Sequence, residues 1–293
     1  MSVSVRPRRR KSLGQHWLTD RRYLDRIAAA ADPEDVDTVV EVGAGTGMLT
    51  ERLAARAKRL IAVEVDPMLV LRLRERFAGH ETVSVVEADA LVATPAEVLS
   101  AGGGGAPYAV VGNLPYNVGT PIVRRFLQSV VKPRWMVVML QAEVGESVAA
   151  KPGGMSYLSV QMQLYAEARV LFYVPPRAFK PAPKVRSAVV RLDVGDGPAV
   201  EVDDREAFLA LVRAGFAAPR KQMRNSLAVG LRVKGPEADA MLAEAGLEGS
   251  QRPADLSMLD WKALYYGYRN REQGTGNKEP GTGNTEHRAG GSR

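Results

Sequence analysis

The sequence predicts an α/β protein with a mostly parallel seven-stranded sheet, followed by a small all-α domain. In about the first 200 residues, short runs rich in β-branched residues alternate with helical segments. This is the pattern of a parallel sheet with helices on both faces. After the Gly/Pro-rich stretch 195–198 only helical patterns follow, so we place a domain boundary there.

The individual elements follow from local patterns. Seven runs are predicted to be strands, at residues 38–42, 60–64, 82–86, 108–111, 135–140, 168–174 and 187–192. Asp66 and Pro67 predict a helix start after the second strand, because Asp is a favoured N-cap and Pro a favoured first helical residue. Further helices are expected from 48 to 57, at 118–130, and in the C-terminal part at 205–217, 220–229, 236–245 and 259–268.

The composition excludes several classes of protein. The chain has 293 residues and no Cys, which excludes a disulfide scaffold, a zinc site with thiolate ligands and a cysteine nucleophile. We expect no metal site. No apolar stretch approaches the ~20 residues of a membrane-spanning helix, and residues 1–11 lack the apolar segment of a secretory signal. We therefore expect a cytoplasmic protein without a membrane partner.

The formal net charge of +7 is concentrated in two segments. Five of the six residues 6–11 are basic, and residues 205–234 carry seven basic residues against Glu206 alone. This distribution indicates contacts with a polyanion, although a solvated tail and a solvated helix face explain it equally well. Composition divides the chain into a basic arm (1–12), an α/β domain (13–197), a helical domain (198–270) and a disordered tail (271–293).

A glycine-rich turn, Glu41-Val-Gly-Ala-Gly-Thr-Gly47, follows the first predicted strand. Glycines there let the backbone turn tightly and approach a ligand beside a helix N-terminus. The third glycine of the nicotinamide fingerprint is replaced by Met48, and the turn resembles the S-adenosylmethionine loop of Rossmann-like methyltransferases. Glu64 ends the next strand, where it can accept hydrogen bonds from both ribose hydroxyls. Asp89 can accept one from the adenine amine, although by itself it also fits an ordinary turn.

The tetrapeptide Asn113-Leu-Pro-Tyr116 follows the fourth predicted strand. It resembles the motif of enzymes that methylate exocyclic amines of nucleic-acid bases. The lone pair of an adenine N6 is delocalised, so acceptors that bind the amine hydrogens favour attack. The Asn113 side-chain oxygen and the Leu114 carbonyl are such acceptors, Pro115 sets the turn, and Tyr116 offers a face for an unstacked base. A simple turn at a strand end is the alternative.

The segment 179–187 adds a second aromatic residue in a proline-rich frame. Phe179 is predicted to pack on the opposite face of the same base. Lys180, Lys184 and Arg186 are predicted to hold the flanking phosphates. A Pro-rich connection between strands explains the composition of this segment equally well.

Together the stretches 11–20, 41–50, 112–117, 179–187 and 220–227 resemble the KsgA family of small-subunit ribosomal RNA adenine dimethyltransferases. The resemblance covers residue 11 to about 265 and implies a class I, Rossmann-like methyltransferase. It implies S-adenosylmethionine-dependent dimethylation of the N6 amines of two adjacent adenines near the 3′ end of 16S rRNA. The substrate would be an assembling 30S particle, with a role in ribosome biogenesis and docking through the helical domain. We expect a monomer.

The resemblance also assigns residues. The cofactor contacts it implies are His16, Leu18, Gly43, Glu64, Asp89 and Asn113, and we add Gly45 of the glycine turn. The catalytic set is Asn113, Leu114, Pro115, Tyr116 and Phe179. The RNA contacts we expect are Arg8, Arg9, Arg10, Lys11, Lys180, Lys184, Arg186, Arg220, Lys221 and Arg224.

Three departures from the family pattern concern the RNA and the cofactor. Position 16 is usually Asn in bacterial members and is His16 here, the run 141–147 lacks the family's basic residues, and an expected arginine pair is reduced to Pro219-Arg220. A 23S rRNA dimethyltransferase of the macrolide-resistance type shares the pocket motifs, but 141–144 and 220–227 fit the KsgA family better. A DNA adenine methyltransferase would usually carry a separate target-recognition region. A non-enzymatic ribosome-assembly or RNA-binding factor on the same fold remains an alternative.

Overall fold

All β-strands in the described part of the chain lie before residue 195. The computed structural model describes residues 16–195, 197 and 199–276. Its strands are β1 (Trp17–Leu18), β2 (Thr38–Val42), β3 (Leu60–Glu64), β4 (Val83–Glu87), β5 (Tyr108–Asn113), β6 (Trp135–Gln141), β7 (Ala166–Val174), β8 (Phe179–Lys180) and β9 (Ser187–Val194).

Seven of these strands form one sheet in the order β4-β3-β2-β5-β6-β9-β7. Only β9 runs antiparallel to its neighbours, β6 and β7, so the predicted mostly parallel seven-stranded sheet is confirmed. All residues of β2 and β3 are buried, as expected for parallel strands covered on both faces. The remaining strands, β1 and β8, pair with each other in a separate two-stranded sheet.

The helices between the strands are mostly short. Those that precede residue 201 are α1 (Arg21–Ala30), α2 (Met48–Ala54), α3 (Pro67–Arg76), α4 (Pro95–Ala101), α5 (Gly119–Gln128), α6 (Ala142–Val148) and α7 (Tyr157–Gln163), with a 3-10 turn at Pro176–Ala178. Asp66 caps α3 as predicted, because its side chain accepts a hydrogen bond from the Met68 N–H. Helices α1, α4, α6 and α7 were not predicted from the sequence.

The chain divides into two compact units, Met1–Glu201 and Val202–Arg293. The division lies four residues beyond the predicted boundary of 197. One hydrogen bond ties the intervening residues to the first unit: the Ala199 N–H donates to the Leu164 carbonyl at 2.9 Å.

The second unit is helical, as predicted. Its helices are α8 (Arg205–Gly215), α9 (Met223–Leu231), α10 (Gly235–Glu244) and α11 (Met258–Gly276), with a 3-10 turn at Pro253–Asp255. Helix α11 includes residues 271–276, which we expected to belong to a disordered tail. Arg271 forms an ion pair with Glu244 of α10, which holds this part of the helix. The rest of the predicted tail, 277–293, lies outside the described residues, as does the predicted basic arm. Within the described part of the chain, no helix is long and apolar enough to cross a membrane.

Candidate active site

A pocket opens where the parallel strands of the first unit end. Glu64 closes β3 and Asn113 closes β5, Gly43 directly follows β2, and Asp89 is the second residue after β4. Because β2 has β3 on one side and β5 on the other, the pocket lies at the point where the strand order reverses, the usual ligand site of an open α/β sheet. His16 and Leu18 of the segment around β1 also line the pocket, together with Phe179 of β8.

The glycine turn after β2 adopts a backbone that other residues rarely tolerate. Gly43, Gly45 and Gly47 have φ angles of 76°, 59° and 80°. A Cβ on Gly45 would lie 2.3 Å from Cζ3 of Trp17, so the indole packs directly against the turn. Gly45 itself does not line the pocket. Trp17 does line it, although it was not predicted from the sequence.

The buried carboxylate of Glu64 holds this turn in place. One of its oxygens accepts from the Gly45 N–H at 2.9 Å, and the other from the N–H groups of Val65 and Asp66 at 2.8 and 3.0 Å. A carboxylate has about four acceptor positions, so this arrangement leaves room for one further donor. If Glu64 accepts hydrogen bonds from both ribose hydroxyls, as predicted from the sequence, one of its three bonds to backbone N–H groups must therefore break.

A second carboxyl group, Glu41, lies in the pocket wall and is fully buried. Its Oε2 has no hydrogen-bond partner within the described residues. Burial raises the pKa of Glu41 to about 8; the Thr50 hydroxyl opposes this rise, and the charge of Glu64 adds to it. The only sequence signal was an acid inside an apolar strand. An unpartnered carboxyl group in a pocket fits a cationic ligand, and S-adenosylmethionine carries a sulfonium and an ammonium group.

Asp89 both stabilises a turn and lines the pocket. Its Oδ1 accepts a hydrogen bond from the Leu91 N–H at 3.0 Å, as in an ordinary Asx turn, and the residue also lines the pocket. Its contact with an adenine amine stays a prediction.

The acceptor expected for a target amine is present at Asn113. Its amide nitrogen donates to the His16 carbonyl at 3.4 Å, and this orients the amide so that Oδ1 remains available. No partner of Oδ1 lies among the residues that the structure describes. Leu114, Pro115 and Tyr116 follow in the same pocket wall, with the Leu114 side chain buried.

Tyr116 is fixed by its hydroxyl group. The hydroxyl is hydrogen-bonded to Oγ of Ser187, the first residue of β9, at 2.8 Å. Burial raises the pKa of Tyr116, so the hydroxyl stays protonated in this bond. The imidazole of His16 lies beside the phenol ring, with the centroids 5.9 Å apart and the planes inclined by 31°.

The segment that carries His16 and β1 joins the two sides of the pocket. Nδ1 of His16 donates to the Pro181 carbonyl at 2.8 Å, and Leu18 pairs with Phe179. The side chain of His16 therefore contacts Tyr116 and Pro181, on the side of the pocket where the target base is expected. The contact of His16 with the cofactor, which the family resemblance implies, stays a prediction. Phe179 lines the pocket but is only 3% exposed.

The cations predicted to bind RNA fall into three groups. Lys180 and Lys184 are exposed beside β8, whereas Arg186 forms an ion pair with Glu146 and lies over the Tyr173 ring. In the second unit, the exposed cations of the 220–224 segment are Arg220, Lys221 and Arg224. The third group, Arg8, Arg9, Arg10 and Lys11, lies outside the described residues.

Comparison with known proteins identifies relatives over most of the chain. A model of the family described as "Ribosomal RNA adenine dimethylase" matches residues 6–265. The chain is 40% identical over 259 residues to "Ribosomal RNA small subunit methyltransferase A" of Dehalococcoides mccartyi, which covers 88% of each chain. It is 43% identical over 229 residues to the protein of that name from Xanthomonas euvesicatoria, with 78% of this chain and 86% of the relative covered.

Two solved structures resemble the fold over nearly their whole length. The 23S rRNA methyltransferase ErmE has 31% identity and a TM-score of 0.68, covering 86% of this chain and 98% of its own. A dimethyladenosine transferase from Plasmodium falciparum has 21% identity and a TM-score of 0.73, covering 88% of this chain and 98% of its own; it supports the fold alone.

Proposed function

The chain belongs to the ribosomal RNA adenine dimethylase family, and we propose that it acts on the RNA of the small ribosomal subunit. It is an S-adenosylmethionine-dependent enzyme that dimethylates adenine N6 amines of rRNA. We infer that its targets are two adjacent adenines near the 3′ end of 16S rRNA. The observation that carries the assignment of adenine N6 methylation is the available Oδ1 of Asn113, next to the Leu114 carbonyl in the pocket that Glu64 and Glu41 line.

The residues of the pocket favour the reaction by positioning. Oδ1 of Asn113 and the Leu114 carbonyl accept hydrogen bonds from the two N6 hydrogens, which directs the nitrogen lone pair out of the base plane. Tyr116, fixed through Ser187, supports the face of the unstacked base. No strong base is needed, because the nitrogen becomes acidic as its new bond forms. Orienting two reactants in this way accounts for most of the expected catalysis.

The cofactor side of the pocket fits S-adenosylmethionine, which supplies an electrophilic methyl group when bound. Glu64 and Asp89 offer acceptors for the hydroxyl and amine groups of a nucleoside. Glu41 offers a buried carboxyl group with an unpartnered oxygen for the positive charge. The glycine turn lets the backbone approach the ligand closely.

The choice of subunit rests on the relatives. Those at 35–43% identity are named for the small subunit. The 31% identity to ErmE makes methylation of 23S rRNA the second candidate. We favour the small subunit because the identity is higher and because residues 220–227 match the small-subunit family.

The remaining parts of the proposal concern docking. The exposed cations Arg220, Lys221 and Arg224 support contact of the helical unit with rRNA of an assembling 30S particle. The basic residues among positions 6–11 would add further phosphate contacts. We propose that the enzyme works as a monomer in the cytoplasm.

A methyl-transfer assay with labelled S-adenosylmethionine tests the proposal. Purified protein should label 30S particles that lack the modification, and labelling of 50S particles or free 23S rRNA should remain at background. Labelling of 50S or 23S RNA alone would establish the second candidate. To test the non-enzymatic alternative, Asn113→Ala is introduced into cells that depend on the protein. If ribosome assembly stays normal while labelling is lost, binding rather than methylation is the main function.

A further inference from the structure

We propose that Tyr173, Arg186 and Glu146 form a stacking platform for the nucleobase that flanks the target adenine. The proposal rests on the function proposed above and adds a base-binding subsite to it. The three residues come from different elements: Tyr173 from β7, Glu146 from α6, and Arg186 from the residue before β9.

The position of the platform is fixed by its connection to Tyr116. Arg186 directly precedes Ser187, whose Oγ is bonded to the Tyr116 hydroxyl. Tyr173 pairs with Ala188, the residue after Ser187, in the β7–β9 ladder. Successive residues of a strand face opposite sides of the sheet, so Ser187 faces Tyr116 and the platform lies on the other face, where α6 packs against Ala188. Both groups lie at the edge of the sheet at which β5 and β6 end. An RNA strand that crosses this edge would bring a base next to the target adenine onto the platform.

The contacts within the platform fix the Tyr173 ring, cover one of its faces with the Arg186 guanidinium, and leave part of the residue exposed. The Arg186 guanidinium lies 4.2 Å from the centroid of the Tyr173 ring and donates to the Glu146 carboxylate at 2.7 Å. The neighbouring Glu146 carboxylate raises the pKa of Tyr173, so the phenol stays protonated, and the same carboxylate orients Arg186. Tyr173 is nevertheless 39% exposed, one of the few large apolar or aromatic side chains exposed in the described chain.

The chemistry of this set favours a base over a phosphate. A phenol ring and a planar guanidinium group are the surfaces on which single-stranded bases stack. Glu146 neutralises Arg186 and would repel a phosphate, whereas its carboxylate can accept a hydrogen bond from an exocyclic amine. The sequence-based expectation that Arg186 holds a phosphate is therefore replaced by a contact with a base. Through Glu146, the platform also places an RNA contact within the run 141–147, which lacks the family's basic residues.

The test measures methylation kinetics on 30S particles that lack the modification. Tyr173→Leu removes the ring and should raise KM for the particle by about 5- to 100-fold, the loss expected for one stacked base. The kcat and the Kd for S-adenosylmethionine should stay within about twofold of wild type. The melting temperature should stay within a few degrees of wild type. Tyr173→Phe keeps the ring and should retain most of the affinity for the particle.

Two charge variants separate base from phosphate recognition. Arg186→Lys keeps the charge but loses the planar group, and should raise KM. Arg169→Lys is the matched control and should behave as wild type, because Arg169 lies on β7, the strand of Tyr173, and is paired with Asp193. Glu146→Gln should leave KM unchanged or raise it; a lower KM would show that Arg186 binds a phosphate and would overturn the proposal.

Two further outcomes would overturn the proposal. They are a wild-type KM in Tyr173→Leu, or the same loss in Tyr173→Phe as in Tyr173→Leu. In both cases wild-type protein still labels 30S particles, so the proposed function stands. If wild-type protein labels neither 30S nor 50S particles, the proposed function fails, and the platform fails with it.

Discussion

The carboxylate of Glu64 accepts a hydrogen bond from the backbone N–H of Gly45 at a distance of 2.9 Å. The bond joins the end of β3 to the glycine turn after β2. The residue expected to bind a cofactor ribose therefore also holds the turn against which that cofactor would lie. Ligand affinity and folding stability are coupled at this one side chain.

Glu64→Ala should lower both quantities. It leaves the buried Gly45 N–H without a partner, which costs about 1–3 kcal/mol of unfolding free energy, and it removes the predicted ribose acceptor. We expect at least a tenfold weaker Kd for S-adenosylmethionine by calorimetry and a lower urea midpoint. The matched control is Glu51→Ala, because Glu51 forms a solvent-exposed ion pair with Arg76, and such a pair contributes only about 0–1 kcal/mol. Wild-type affinity in Glu64→Ala would contradict the assignment.

Gly45→Ala should deform the glycine turn. The position has a φ of 59°, and a Cβ there would meet the Trp17 indole. A left-handed backbone alone costs an Ala about 1–2 kcal/mol, so we expect a lower melting temperature and weak cofactor binding. Gly105→Ala is the control, because a Cβ at Gly105 meets open space and its φ is not positive. Equal behaviour of the two variants would show that the turn accommodates a side chain.

Substitution of Tyr116 should separate catalysis from cofactor binding. Tyr116→Ala removes the ring expected to support the target base, and should reduce methyl transfer by about 5- to 100-fold, as one lost stacking contact implies. The Kd for S-adenosylmethionine should change little. Tyr116→Phe loses only the bond to Ser187 and should keep most of the activity. If methyl transfer and cofactor affinity fell together in Tyr116→Ala, the residue would be structural.

Glu41 should make the stability of the ligand-free protein depend on pH. Its pKa is raised from 4.5 to about 8 in the folded state, so folding favours the protonated form. The contribution of Glu41 to the free energy of unfolding is fully present below about pH 4.5 and is lost as the pH rises through about 8. Over this range the free energy of unfolding falls by at most about 1.4 kcal/mol per pH unit. Glu41→Gln removes this dependence, so the advantage of the variant should grow between about pH 5 and pH 8.

Urea unfolding of both proteins at several pH values measures this difference. Parallel stability curves would show that Glu41 does not titrate in this range. Because a cationic ligand favours the ionised form, S-adenosylmethionine should also bind Glu41→Gln more weakly than wild type. That binding is measured by calorimetry.

The sheet could be predicted from the sequence because its strands are apolar runs with clear ends. The predicted run 38–42 coincides with β2, and 60–64 with β3. The helices α4, α6 and α7 have only seven residues each, so they complete barely two turns and show little periodicity. Their form depends on packing and on caps. The cap of α7 is Ser156, whose partner Ser159 is not a usual capping-box residue, whereas the Thr94-x-x-Glu97 capping box of α4 is a sequence signal that was missed.

The pocket was predictable to the extent that it uses strand ends. Glu64, Asp89 and Asn113 follow strands whose order a parallel sheet dictates, so their convergence followed from the fold. The contacts of His16 did not, because the bond to Pro181 joins residues 165 positions apart. The packing of Trp17 on Gly45 and the unpartnered oxygen of Glu41 likewise depend on three-dimensional surroundings that no local pattern records.

The most direct test of the central claim is the nucleoside composition of 30S rRNA after incubation with the protein and S-adenosylmethionine. Particles lacking the modification are digested, and the fragments are analysed by mass spectrometry. We predict N6,N6-dimethyladenosine at two adjacent positions near the 3′ end of 16S rRNA, and none after incubation with Asn113→Ala. Unmodified 16S rRNA together with dimethyladenosine in 23S rRNA would contradict the account.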